Sequence, residues 1–144
     1  MEINGVAHVM LTVREIETSK RFYKPLLTHF GLTQVVDSPD YLYFVGGRTA
    51  VGLRPAAAEH RETRFDQWRA GLHHVCFRAR SRDDVDSVER LVVELGARII
   101  HGAHEEGWVP GYYSVLFEDP DGIRLEVNHV PGRGVFEPGV ERQG

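Results

Sequence analysis

The sequence predicts an α+β protein made of two βαβββ modules with curved mixed sheets. Three observations carry that expectation. The order strand, helix and three strands occurs twice along the 144 residues. The two leading strands, His8-Val-Met-Leu-Thr-Val and His74-Val-Cys-Phe-Arg-Ala, align without a gap 66 residues apart. Each is followed by a segment whose apolar residues recur at helical spacing, and then by short alternating runs separated by turn residues.

In the first module, residues 1–55, AHVMLTV (7–13) reads as a strand. Phe22, Leu26, Leu27 and Phe30 then mark a helix that Pro25 is expected to kink or split and Gly31 to end. TQVVDS, YLYFVGG and RTAVGLRP follow as three strands punctuated by Ser-Pro-Asp and Gly-Gly turns. Residues 56–70 are charged and lack alternation, so they read as a linker with a helical turn around Phe65 and Trp68. The second module, 71–130, opens with GLHHVCFRA. Its helix starts at a capping box formed by Ser81 and Asp84 and carries Val85, Val88, Leu91, Val92 and Leu95 on one face. ARIIHG, YYSVLFED and GIRLEVNHV complete it, and the Gly- and Pro-rich stretch 131–144 reads as a tail.

Composition narrows the partners. A formal charge of −4 offers no counter-charge to nucleic acid or to an anionic membrane, and no apolar run approaches the ~20 residues that span a bilayer. Small molecules are the expected partners. The single cysteine, Cys76, excludes an intrachain disulfide, and MEINGVAHVMLTV has no basic segment followed by a long apolar one, so a cytoplasmic location is expected.

Strand alternation selects the candidate chemistry. With Val75 and Phe77 turned to the core, His74 and Cys76 occupy the other face; His8, Met10 and Thr12 share the matching face of the first strand. His73, one residue out of phase, is expected to point away. In the last strand of the second module, Arg124, Glu126 and Asn128 share a face, and the first-module position opposite Glu126 is Gly52. A lone strand histidine is usually an ordinary polar residue, as is a lone strand glutamate. It is the matched phase of His8 and His74, with Glu126 as the nearby acid, that suggests a pocket holding two imidazoles, one carboxylate and a vacant fourth position. Such a set suits Zn, Fe, Mn, Co or Ni and leaves room for substrate. Arg54 and Arg124, in phase with Gly52 and Glu126, are the candidate substrate-binding cations. Tyr43 and Tyr113 are candidates to line the cavity, and HEEGWVPGYY with Trp108 to cover it. Cys76 is expected to be a packed residue, and His29, His60, His101, His104 and His129 surface ones.

These residues, and above all FEDPDGIRLEV, resemble the vicinal oxygen chelate superfamily, which includes glyoxalase I, extradiol dioxygenases, fosfomycin-resistance transferases and bleomycin-binding proteins. The resemblance spans roughly residues 4 to 130. In Asp119-Pro120-Asp121-Gly122, Pro fixes φ and Gly supplies a positive φ, reversing the chain so that Glu126 returns to the pocket. The resemblance implies a divalent metal held by His8, His74 and Glu126. It also implies a homodimer, with each site completed either within one chain or by one protomer's His8 with its partner's other two ligands. Departures narrow the family. Gly52 stands where glyoxalase I carries a second acid, and Leu116 and Gly107 to Val109 replace the acid/base groups of the dioxygenases. Met10 and Asn128 to Pro131 replace residues expected of the fosfomycin enzymes. What remains is a metal-dependent lyase, isomerase or transferase acting on an oxygen-chelating small molecule, with Glu126 also serving as proton acceptor. The alternative is a non-catalytic drug- or metabolite-sequestering protein.

Overall fold

The computed structural model describes residue 3 and residues 5–132, so the expected tail beyond Gly132 lies outside the described residues. Elements follow in the order β1 (His8–Val13), α1 (Ile16–His29), β2 (Thr33–Ser38), β3 (Tyr41–Val45), β4 (Ala50–Pro55), β5 (Val75–Arg78), α2 (Arg82–Glu94), β6 (Arg98–Glu105), β7 (Tyr113–Glu118) and β8 (Arg124–His129). The chain divides into two compact units between Phe65 and Asp66. Each carries one four-stranded mixed sheet, ordered β1-β4-β3-β2 in the first unit and β5-β8-β7-β6 in the second. In both, the leading strand pairs in parallel with the last, and the other pairs are antiparallel.

In the first unit, α1 packs against β2, β3 and β4. Phe22, Tyr23, Leu26 and Leu27 on the helix and Leu11, Val13, Leu42, Phe44, Val51 and Leu53 on the sheet form the core. The helix runs unbroken through Pro25. Burial of Leu26 and Leu27 in the turn just beyond offsets the lost backbone hydrogen bond, where a proline in a helix interior ordinarily costs about 3 kcal/mol. Gly31, at φ 78°, ends the helix as its position predicted.

The buried Lys20 ties α1 to β2. Its Nζ donates to Glu17 Oε1 (2.9 Å) and to the Ser38 carbonyl (2.6 Å), and lies 3.0 Å from Asp37 Oδ1; Lys24 pairs with the same aspartate. Burial by itself would lower the Lys20 pKa, but the hydrogen bonds and charges of Glu17 and Asp37 outweigh it and raise it. Asp37 is shifted the other way, held below the usual aspartate value by the hydrogen bond from Lys24 and then by that from Lys20. A depressed carboxylate contributes stability that is present above its unfolded pKa, about 3.9, and is lost as pH falls through the lower folded value. The difference in urea midpoint between the wild type and Asp37→Asn is therefore expected to be constant near neutrality and to shrink as the pH drops below about 4.

In the second unit, α2 packs on β6, β7 and β8. Val85, Val88 and Val92 are buried with Val115, Phe117, Leu125 and Val127. The expected capping box is present: Ser81 Oγ accepts from Asp84 N (3.1 Å) and Asp84 Oδ2 from Ser81 N (3.0 Å). The segment between the modules differs from expectation, since its helical piece is a 3-10 turn at Ala58–His60, with only turns near Trp68. The local Trp68 backbone N–H donates to Asp66 Oδ1, which satisfies the chain as a turn.

Each helix covers one face of its sheet, and His8, Met10, Arg54, Glu126 and Arg124 lie on the other face.

Candidate functional site

In the first unit that other face is built by register. Met10 pairs with Gly52 and Gly52 with Tyr43, so all three share a side, and Thr12 pairs with Arg54 one step along. His8 begins β1 on this face and is exposed, as alternation predicts. Gly52, the position that the repeat sets opposite Glu126, is crowded by Met10 and Tyr43. A Cβ added there would lie 2.4 Å from Met10 Sδ and 2.7 Å from Tyr43 Cδ2. Tyr43 stacks on Tyr41 (centroids 5.8 Å apart, planes at 11°), and the Arg54 guanidinium lies 5.3 Å from the Tyr41 centroid. Arg54 is exposed and takes part in a cation–π contact. The surface around Gly52 is thus aromatic and thioether in character. Gly52→Ala is expected to destabilise the protein by roughly 1–3 kcal/mol through overpacking. Adding Met10→Ala should recover part of the loss in urea denaturation, whereas additive losses would show that Met10 is not what crowds the site.

In the second unit, β5 to β6 place Cys76, Glu126, Leu116 and His101 in one row, with Arg78, Asn128, Ser114 and His104 in the next. His74 Nε2 lies 3.1 Å from Glu126 Oε2, and Tyr112 Oη donates to the other oxygen, Oε1, at 2.6 Å. Glu126 is largely buried and His74 about one-third exposed. The Tyr112 hydroxyl is raised well above the usual tyrosine pKa by burial and then by its bond to Glu126, so it remains a donor. Cys76 is exposed at the residue level, but the protein packed around its sulfur and the adjacent Glu126 charge push its thiol up to about 12. At neutral pH it is a thiol, and the surroundings do not activate it as a nucleophile.

Donors bonded at about 2.0–2.1 Å to one ion lie about 2.9 Å apart along an octahedral edge and about 3.4 Å along a tetrahedral one. The His74–Glu126 separation falls between those limits, so this imidazole and carboxylate fit a divalent cation. Tyr112 would be the outer partner that orients the carboxylate.

His73 departs from expectation. β5 begins only at Val75, so strand alternation does not govern residues 73 and 74, which follow Gly71 at φ 146°. The two imidazoles meet edge to face, with Nδ1 atoms 2.8 Å apart, and His73 also packs edgewise on Trp68. One Nδ1 must donate to the other, so His73 helps to orient the His74 ring. Gly71, two residues before His73, is the sequence signal that strand geometry starts later.

Tyr113, expected to line the cavity, does not reach the candidate site, whereas Tyr112, the residue just before β7, does. Tyr113 Oη donates to Asp86 Oδ1 on α2, which places it on the helix side of the sheet. Tyr112, in phase with Ser114 and Leu116, reaches Glu126. Arg124 Nε donates to Glu118 Oε1 at 3.4 Å, and its Nη2 lies 3.0 Å from the Gln67 side-chain oxygen. Trp108 is 56% exposed. His129, expected at the surface, has its Nδ1 buried.

The DPDG turn behaves as its residues require. Asp119 Oδ1 accepts from the backbone N–H groups of Asp121 and Ile123, both at 2.8 Å, and Gly122 adopts φ 88°. This turn sets where β8, and with it Glu126, re-enters the sheet.

Paired four-stranded βαβββ units with a histidine before one leading strand and a glutamate on the last define a class. The chain belongs to the Glyoxalase/Bleomycin resistance protein/Dioxygenase superfamily, whose family model matches residues 5–127. Among individual proteins, it is 27% identical over 121 residues to YqjT of Bacillus subtilis (strain 168), covering 83% of this chain and 94% of that protein. A crystal structure of a candidate glyoxalase from Bacillus halodurans shares 25% identity at a TM-score of 0.76, covering 88% of this chain and 96% of the other. A glyoxylase/bleomycin resistance protein/dioxygenase domain from Frankia sp. EAN1pec shares 27% identity at a TM-score of 0.72, with 89% and 98% covered. Among the described residues no helix is long and apolar enough to cross a membrane.

Proposed function

We propose that the protein is a metal-dependent enzyme of this superfamily that performs lyase, isomerase or transferase chemistry on a small molecule presenting chelating oxygens. The observation that carries this reading is the His74–Glu126 pair, 3.1 Å apart, with the second carboxylate oxygen fixed by Tyr112. His74 and Glu126, with His8 as third ligand, would hold the ion. When bound, a divalent ion supplies Lewis-acid polarisation of substrate oxygen. The chain's own residues supply the rest. Glu126 is the candidate proton acceptor, and the Tyr112 hydroxyl donates to its Oε1. Arg54 and Arg124 are the cations proposed to meet an anionic or oxygen-rich substrate. A homodimer in which His8 of one protomer serves the partner's site belongs to the same reading.

A second reading, sequestration of a drug or metabolite without turnover, is favoured by the stacked Tyr41–Tyr43 pair with Met10 and Arg54 on the face of β3 and β4. Elemental analysis of untagged protein purified without chelator separates the two. Bound metal that His74→Ala removes while the circular dichroism spectrum is unchanged supports the enzyme. Protein that holds no ion at this site even after reconstitution supports sequestration.

A further inference from the structure

The second unit contains a group of ligand-type side chains on β6 and the residue after it that the His74–Glu126 site does not use. His101, His104 and Glu106 offer ligand atoms that all lie within 4.8 Å of one another. His101 and His104 are three residues apart, a spacing that in a regular strand puts side chains on opposite faces. The register of β6 against β7 shifts between them: His101 pairs with Leu116, but His104 pairs with Ser114, only two residues back along β7. That bulge restores the phase and turns both imidazoles to one side. Their rings lie 4.7 Å apart, edge to face.

Hydrogen bonding fixes which nitrogens face the gap. Both Nδ1 atoms reach the Gly102 carbonyl oxygen, at 3.1 Å from His101 and 2.8 Å from His104. A carbonyl only accepts, so each Nδ1 carries a proton and Nε2 is the ring atom left to face the gap. Both Nε2 atoms point at the same oxygen, Glu106 Oε1, each at 3.3 Å. Two lone pairs converging on a carboxylate oxygen repel it unless a cation, a metal ion or a ring proton, lies among them. Ligands bonded at about 2.0–2.1 Å to a tetrahedral ion are separated by about 3.3–3.4 Å, which both histidine–glutamate distances match. The backbone carbonyl that orients both imidazoles is the outer partner that metal-binding histidines ordinarily have.

We propose that His101, His104 and Glu106 form a second divalent-cation site for a borderline ion such as Zn(II), Co(II) or Ni(II), with at least one coordination position open to an outside ligand. It lies on the same sheet face as Glu126 but two strands away, about 10 Å at the usual strand spacing. One ion cannot serve both groups.

The test is a Co(II) titration of untagged, chelator-stripped, full-length protein, followed by visible absorption and then by Zn(II) displacement. Wild type is compared with His101→Ala/His104→Ala, with Glu106→Gln and with His74→Ala/Glu126→Gln. The expected result is that the 101/104 double variant binds one equivalent fewer than wild type, and that Glu106→Gln weakens that equivalent at least tenfold with an unchanged circular dichroism spectrum. His74→Ala/Glu126→Gln should retain it. If wild type binds a single ion that only the 101/104 variant loses, this site stands and the proposed His74–Glu126 centre falls. Equal stoichiometry and affinity in wild type and the 101/104 variant, or a single ion lost only with His74 and Glu126, would overturn the proposal, leaving the cluster as protonated histidines paired with Glu106.

Discussion

Glu126→Gln is expected to weaken metal binding at the His74 site by more than 100-fold and to abolish the turnover that depends on it. The substitution keeps the shape of the side chain and can still meet the Tyr112 hydroxyl, but it removes the charge and one anionic donor. Tyr112→Phe is the graded companion. It leaves all three proposed ligands and removes only the hydrogen bond to Oε1, so its effect should fall in the ~10–100-fold range of outer-shell partners. Calorimetric titration with Zn(II) or Mn(II) measures both. Equal effects of the two variants would mean that Glu126 is not a ligand and that the tyrosine–glutamate pair is merely a structural hydrogen bond.

Asp119→Ala is expected to cost about 3 kcal/mol or more in urea denaturation. The carboxylate of this buried residue accepts from two backbone N–H groups, those of Asp121 and Ile123. Hydrogen bonds to a charged acceptor contribute about 1.5–3 kcal/mol each, and truncation strands two buried donors. Asp119→Asn keeps an acceptor oxygen but no charge, and should recover part of the loss. Because the same turn delivers β8, Asp119→Ala should also weaken any metal held by Glu126 under conditions where the chain remains folded. A loss below 1 kcal/mol would mean that water replaces the carboxylate and that the turn is not anchored as drawn.

Most of the architecture was legible because it depends on local signals. The Ser81–Asp84 box, the helical spacing of Val85, Val88 and Val92, the glycine after α1 and the Gly-Gly and DPDG reversals each correspond to an observed boundary or turn. The repeat of element order then fixed that β1 and β5 head equivalent sheets. What escaped depended on tertiary context or on exceptions to alternation. The split expected at Pro25 does not occur, because the proline's penalty is local while the burial that offsets it comes from the sheet. The expectation that His73 points away extends strand phase two residues before β5 begins. Counting back in twos from Leu116 leads to Tyr112, which reaches Glu126, and not to Tyr113. His101 and His104 read as surface residues because a spacing of three conceals a shared face until the bulge between them is known. No sequence signal marked that bulge.

The parallel pairing of β5 with β8 has a consequence for how the second unit holds together. Val75 pairs with Leu125 and Cys76 with Glu126, so groups some fifty residues apart in sequence become neighbours only when the last strand slots beside the first. β6, β7 and β8 can assemble as a local meander, whereas β5 must close a long loop, whose entropy rises only slowly with length but is lost in a single step. An ion gripped by both His74 and Glu126 would lie across that closing seam. Its binding free energy would then be available only to the closed chain, and loading would act as a clasp that raises the stability of the second unit in proportion to the logarithm of free metal concentration.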